Sequence, residues 1–349
     1  MAQKNVANCM KVSPVLIFML LFQVAGAQYN FAELDKKLES YQKQLGGNVV
    51  AIVYKDSQVV YKKEMGEFKA NTVAPIASCS KWLTAALVMT FVDEGKLSLD
   101  DKVSKYIPEF TNYGKGYITI RQCLSHTTGI ENGRPGLGVL LENSKYESLE
   151  KEVNEFMGKR DIFAQPGQQF AYSTVGLNIA GRVLEVISKR QFDQLMMQRI
   201  FRPLNMKMST FYSERAVNPS GGAKSTAADY MNFLVMLLNK GNFNGKRILS
   251  EQSIAEMQKA QTTQNMIRYS PDNAKGLDYA LGEWVLEKDS NGNSTSVTSP
   301  GLFGTWPWVD NCRGYACIIF VRNLKAEDRR DMYTDIKKVI DAQLSNKCK

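Results

Sequence analysis

The chain has a single histidine, His126, among its 349 residues. That scarcity excludes a histidine-rich zinc site, and it leaves any Ser-His-Asp triad only one ring to use. Long apolar runs are also missing. Near the N-terminus the run Val15-Leu16-Ile17-Phe18-Met19-Leu20-Leu21-Phe22 is well short of the ~20 residues that a membrane span requires. Lys4 and Lys11 precede it and Ala25-Gly26-Ala27 follows, so residues 1–27 read as a secretory leader that is cleaved, not as a retained anchor. No cysteine follows the cleavage site, which argues against a lipoprotein. The mature protein is therefore expected to be exported, periplasmic or secreted, with no stable membrane span. Basic blocks are absent too. The formal net charge is +9, and losing Lys4 and Lys11 with the leader leaves +7, but the lysines and arginines are scattered among acids. That distribution describes a solvated surface, suited at most to anionic envelope polymers, and it excludes a nucleic-acid site.

Cysteine is sparse. Cys9 falls in the leader, and Cys79, Cys123, Cys312, Cys317 and Cys348 remain, an odd set that leaves at least one thiol unpaired in a single chain. In an exported protein Cys312 and Cys317, separated by Arg313-Gly314-Tyr315-Ala316, suit a disulfide across a turn between two strands. The alternative is two buried thiols on one strand.

What is present is ordinary for a globular protein, with 44% hydrophobic and 23% charged residues, and the length exceeds what one compact core usually holds. Two lobes are expected. Phe31 to Leu45 has apolar residues at 31, 34, 38, 41 and 45, a helical spacing closed by Gly46-Gly47. Val49 to Tyr54 and Val59 to Tyr61 are β-branched and aromatic runs around the polar turn Lys55-Asp56-Ser57-Gln58, which predicts a hairpin. Residues from about 74 to 270 read mostly helical. From Tyr279 onward YALGEWVLE, STSVTS and YACIIFV read as strands, and Asp328 to Leu344 as a closing amphipathic helix.

The chemistry-bearing stretch is Pro75 to Pro108. Ser78 and Lys81 are at i and i+3, neighbours on one helical face, at the start of the apolar run Trp82-Leu83-Thr84-Ala85-Ala86-Leu87-Val88-Met89. A serine hydroxyl needs a base to become a nucleophile, and a lysine serves as one when burial or a neighbouring cation lowers its pKa. Unpaired N–H groups at the start of such a helix suit a developing oxyanion. The same S-x-x-K spacing recurs at Ser40/Lys43 and Ser148/Lys151, both in stretches crowded with charge, where a solvated lysine is the simpler reading.

The segment ASCSKWLTAALVMTFVDEGKLSLDDKVSKYIPEF resembles the first motif of the serine β-lactamase and penicillin-binding-protein family, most closely its class C β-lactamase and esterase-like branch. Leu124-Ser125-His126-Thr127-Thr128-Gly129 looks like the family's L-S-H-T-S-G signature, whose histidine buttresses a loop. Gln165 to Thr174, QPGQQFAYST, is similar to P-G-x-x-F-x-Y-S-N, whose tyrosine shares the serine's proton with the lysine, and Thr174 stands where asparagine is usual. Arg199 to Met206 and Gly221 to Asp229 resemble packing segments of the family. Ser299-Pro300-Gly301 falls where the family carries Lys or His, then Thr or Ser, then Gly.

The resemblance implies an α+β fold, with an antiparallel sheet built from residues 28–73 and 271–349 and flanked by helices, and a helical lobe over 74–270, together one β-lactamase/transpeptidase-like catalytic unit. It implies a serine hydrolase acting on an ester or amide, with Ser78, Lys81 and Tyr172 catalytic and the backbone N–H groups of Ser78 and Leu302 as oxyanion hole. Thr174, Ser299 and Gly301 would touch the substrate. No metal or organic cofactor is called for, and the expected partner of the monomeric enzyme is a small molecule or peptide, cell-wall fragments included. Two other readings stay open: a non-catalytic or penicillin-sensing binding domain of the same fold, and a Ser-His-Asp hydrolase using His126.

Overall fold

The computed structural model describes Met1 and residues 29–132, 144–324 and 330–348, so the expected leader lies outside the described residues apart from Met1. Helix α1 (Ala32–Tyr41) buries Leu34 and Leu38 and gives way to Gly46 and Gly47, both at positive φ. Strands β1 (Val49–Lys55) and β2 (Gln58–Met65) follow as an antiparallel hairpin. Its turn is tighter than the four polar residues suggest: only Asp56 and Ser57 turn, at φ 49° and 64°, a left-handed pair whose twist matches the strands it joins.

A mostly helical stretch comes next. Strand β3 (Ala74–Pro75) leads into α2 (Cys79–Asp93), followed by α3 (Ile120–Leu124) and α4 (Leu149–Lys159). Then come β4 (Phe170–Ala171), α5 (Val175–Ser188), α6 (Phe192–Met196), β5 (Lys224–Ser225) and α7 (Ala227–Leu238). The short hairpin β6 (Asn242–Phe243) and β7 (Lys246–Arg247) precedes α8 (Glu251–Gln258) and β8 (Ile267–Tyr269). The chain returns to strand with β9 (Asp278–Tyr279), β10 (Trp284–Lys288), β11 (Ser294–Thr298), β12 (Trp306–Asp310) and β13 (Tyr315–Val321), and α9 (Arg330–Asp341) follows.

Seven strands form one antiparallel sheet in the order β2-β1-β13-β12-β11-β10-β9. The two chain ends meet at β1 and β13, which explains why these strands read as nearly unbroken apolar runs: they are covered on both faces. Side chains alternate between those faces. Val49, Ala51 and Val53 of β1 join Tyr315, Cys317, Ile319 and Val321 of β13 against α1 and α9, while Val50 and Ile52 join Ala316, Ile318 and Phe320 in the larger core with α2 and α7.

Helix α2 is buried from Cys79 to Phe91, in keeping with a segment that is apolar nearly all round. It is the central rod of the larger core.

The pairing expected between Cys312 and Cys317 does not form. Cys312 is bonded to Cys348, with Cα atoms 5.2 Å apart. Cys317 lies inside β13, opposite Val53 and Trp308, and its buried thiol points into the core beneath α1 and α9. The register decides the matter, because Cys312 belongs to the turn before β13 and the residue that reaches it comes from the tail beyond α9. Beside this clamp, Lys337 of α9 holds Glu287, Asp310 and Asp341 at 2.6, 2.9 and 2.8 Å, and Arg313 holds Glu287 and Asp310 at 2.8 Å each. These charges are therefore mutually paired, as buried charges must be.

Candidate active site

The site is built at the junction of β3 and α2. Ile76 donates its N–H to Ala223 O at 3.0 Å, continuing the β3–β5 pairing, and the chain then turns sharply through Ala77 at φ 44°. Left-handed backbone is costly for a residue with a Cβ, so this turn is strain held in place by its surroundings. It delivers Ser78 to the N-cap of α2, half-buried. One turn on, Lys81 is 3% exposed, and its Nζ stands 3.1 Å from Ser78 Oγ, 2.8 Å from Ser220 O and 4.7 Å from the centre of the Tyr172 ring.

The polar side chains on this part of α2 all reach one loop. Ser80 Oγ accepts from Ala223 N at 3.0 Å, Lys81 donates to Ser220 O, and Thr84 Oγ1 donates to Pro219 O at 2.6 Å. Ser220 N–H in turn donates to Asn178 Oδ1 at 3.0 Å and to Asn218 Oδ1 at 3.1 Å.

Opposite the helix the chain leaves β11 through Ser299-Pro300-Gly301. Ser299 is 3% exposed, and its hydroxyl is directed at two backbone carbonyls, Ser78 O at 3.3 Å and Gly282 O at 3.1 Å. The hydroxyl expected to meet substrate is thus within hydrogen-bond reach of the backbone of Ser78 itself. At Gly301 the two backbones come close: a Cβ there would meet Ile76 O at 2.4 Å. This close approach places the Gly301-Leu302 segment alongside Ile76 to Cys79. Among the described residues the N–H groups of Ser78 and Leu302 meet no acceptor. Thr174 caps α5, and its hydroxyl makes no hydrogen bond among the described residues.

His126 sits at φ 57°, 3% exposed, with rings on three sides: Tyr172 at 4.6 Å, Tyr279 at 4.8 Å and Phe170 at 5.7 Å between centroids. Its Nδ1 lies 3.4 Å from Ser173 N and its Nε2 3.1 Å from Tyr279 Oη. An amide N–H can only donate, so Nδ1 accepts and Nε2–H points at the tyrosine oxygen. Burial, with Lys81 adding to it, pushes the imidazole pKa well below its ordinary value, so the ring is neutral. Both nitrogens are occupied and neither partner is Ser78 or a carboxylate. The geometry of a Ser-His-Asp triad is not present.

Three residues of this neighbourhood escape the sequence. Tyr279 and Trp284 wall the Tyr172 ring, at 6.1 and 5.4 Å between centroids. Glu283, between them in sequence, is completely buried; burial drives its carboxyl pKa well above the usual range, and neither oxygen meets a hydrogen-bond partner among the described residues. Only the order Tyr-Ala-Leu-Gly-Glu-Trp hints at this wall, and nothing in it separates the ring pair from ordinary strand residues.

Residues 34–340 match the model of the family described as Beta-lactamase. The chain belongs to the β-lactamase family. Among its relatives, the D-alanyl-D-alanine-carboxypeptidase/endopeptidase AmpH of Escherichia coli K12 is 25% identical over 287 residues, covering 73% of this chain and 74% of AmpH. The crystal structure of a putative beta-lactamase from Bacteroides dorei DSM 17855 superposes with a TM-score of 0.79 at 28% identity, covering 90% of this chain and 99% of that one. A D-stereospecific amidohydrolase from Streptomyces sp. shares the fold at a TM-score of 0.68 and 22% identity, over 90% of this chain and 98% of the other. The expected α+β architecture is thus that of β-lactamases and transpeptidases, and the family is one of hydrolases.

Proposed function

We propose that this protein is an exported serine hydrolase that works through an acyl-enzyme on Ser78. The observation that carries the reading is the buried amine of Lys81, 3.1 Å from Ser78 Oγ and fixed from behind by Ser220 O. Lys81 accepts the hydroxyl proton as Ser78 attacks an ester or amide carbonyl. The hydroxyl of Tyr172, whose ring lies against that amine, is the second group through which the proton reaches the leaving group. The unspent N–H groups of Ser78 and Leu302 receive the oxyanion, and water then releases the acyl group. Thr174, whose hydroxyl is uncommitted, faces the substrate. Burial of Ser299 and the contact at Gly301 support a supporting role for both, beneath the nucleophile.

The leader-like N-terminus and the relationship to AmpH, a D-alanyl-D-alanine-carboxypeptidase/endopeptidase by its description, favour substrates from the cell wall, such as peptides ending in D-amino acids, with small esters as surrogates. A fluorophosphonate probe tests the mechanism. Ser78→Ala abolishes covalent labelling, whereas Ser80→Ala, whose hydroxyl only accepts from Ala223 N, keeps it. Full labelling of the Ser78 variant would remove the mechanism, and absence of labelling in the wild type would leave a binding domain of the same fold.

A further inference from the structure

The acylation machinery is tied to a carboxylate on another helix. Lys81 Nζ donates to Ser220 O at 2.8 Å; Ser220 N–H donates to Asn178 Oδ1 at 3.0 Å; Asn178 Nδ2 donates to Glu152 Oε2 at 3.1 Å. The orientation of the Asn178 amide is forced from both ends, because a peptide N–H can only donate and a carboxylate only accepts. Asn178 is 0% exposed, on α5, and Glu152 lies on α4, partly buried against it. A buried asparagine with both its oxygen and its nitrogen engaged, linking a carboxylate to a backbone segment, has no packing advantage over an apolar residue of similar volume.

The geometry points to Glu152 and Asn178 as positioning residues for Lys81: by fixing Ser220, they hold the carbonyl that aims the Lys81 amine at Ser78 Oγ. This inference rests on the serine acyl-enzyme reading above. It predicts that the site is sensitive to the ionisation of Glu152, since a carboxylate accepts from the Asn178 amide more strongly than a neutral carboxyl does. Burial pushes the Glu152 pKa up to about 7, against the Asn178 hydrogen bond and the charges of Arg160 and Lys145, which lower it. Around it, Arg160 lies just past its own helix and Lys145 before it. Across the interface Arg182 of α5 is engaged with Glu150 and Glu185, and the turn Pro108–Tyr113, also packed on α4, brings Glu109 and Tyr113.

Labelling kinetics with a fluorophosphonate probe test the idea without knowledge of the natural substrate. Glu152→Gln keeps an acceptor for Asn178 but cannot ionise. The ratio of wild-type to Glu152→Gln labelling rates is expected to be near one below about pH 6 and to rise through pH 7 to about three- to tenfold above pH 8. Asn178→Ala should label about tenfold more slowly at pH 8, with Asn218 retaining part of the hold on Ser220. A wild-type to Glu152→Gln ratio that is flat across this range, or an Asn178→Ala enzyme labelled as fast as wild type, overturns the proposal. If Asn178→Ala fails to fold, the pH dependence of the Glu152→Gln ratio decides alone. Labelling in wild type that does not depend on Ser78 removes the parent reading and this one together; Ser78-dependent labelling with a flat ratio removes only this one.

Discussion

Tyr172 has the Lys81 amine 4.7 Å from its ring centre, with the neutral imidazole of His126 at 4.6 Å and Trp284 at 5.4 Å between centroids. Its aromatic body belongs to a cluster, so a purely structural tyrosine there would lose little on conversion to phenylalanine. If instead it relays the proton, Tyr172→Phe should lower kcat by about 10²- to 10⁴-fold with a small change in melting temperature. A near-normal rate measured on a p-nitrophenyl ester returns the residue to the cluster. At this scale the sequence was informative where chemistry is local. Ser78 and Lys81 lie on one helical turn, and their spacing together with the apolar run that follows predicts the contact observed at 3.1 Å. It was silent where the partner is distant in the chain. Nothing in the sequence shows the Ser299 hydroxyl turned to Ser78 O and Gly282 O, and Glu283 has no signature by which a fully buried carboxyl differs from a solvated one.

Helix α2 and its loop show the same division between elements. A run that is apolar all round predicts a buried helix, and α2 is one, but which loop its polar residues bind depends on tertiary contacts that span most of the helical region. The disulfide is the clearest case. Spacing suggested Cys312 with Cys317, yet strand register puts Cys317 on the covered face of β13, and the C-terminal tail brings Cys348 to the turn instead. The bond closes a loop over a sequence separation of 36 that contains β13 and α9, so by chain entropy it contributes about 3–4 kcal/mol. Cys348→Ala should therefore lower the melting temperature clearly, while Cys317→Ala leaves the bond intact. Proteolysis of the unreduced protein should release the Cys312 and Cys348 peptides joined. Finding Cys312 joined to Cys317 would mean that the β12–β13 register is wrong.

At the scale of the whole molecule the periods in sequence order separate strands near the two chain ends from the helices between them, and the resemblance implied that those two ends build one sheet, as the order β2-β1-β13 shows. The substrate is a property of the assembled cleft, and here the structure sharpens the expectation. Penicillins and cephalosporins carry a carboxylate beside the lactam, and the resemblance implies that a cation of the third motif helps to hold it. This chain has Ser299 in that place, and its hydroxyl, the one neutral donor there, is directed at backbone carbonyls. Arg313, a cation near the end of the same sheet, is paired with Glu287 and Asp310 at 2.8 Å and cannot swing to the site without breaking both contacts. Losing a charge-assisted hydrogen bond removes roughly 1.5–3 kcal/mol, or about one to two powers of ten in kcat/KM when the contact acts in the transition state. The enzyme should therefore be a poor β-lactamase, with kcat/KM for a chromogenic cephalosporin at least about tenfold below that for a small neutral p-nitrophenyl ester. Ser299→Lys should not simply restore the missing contact, because the side chain at this position is directed under Ser78 and a lysine there would have to leave the core. A wild-type cephalosporin rate near the diffusional range would show that the carboxylate is held by other groups, and would locate the specificity of the site away from the third motif altogether.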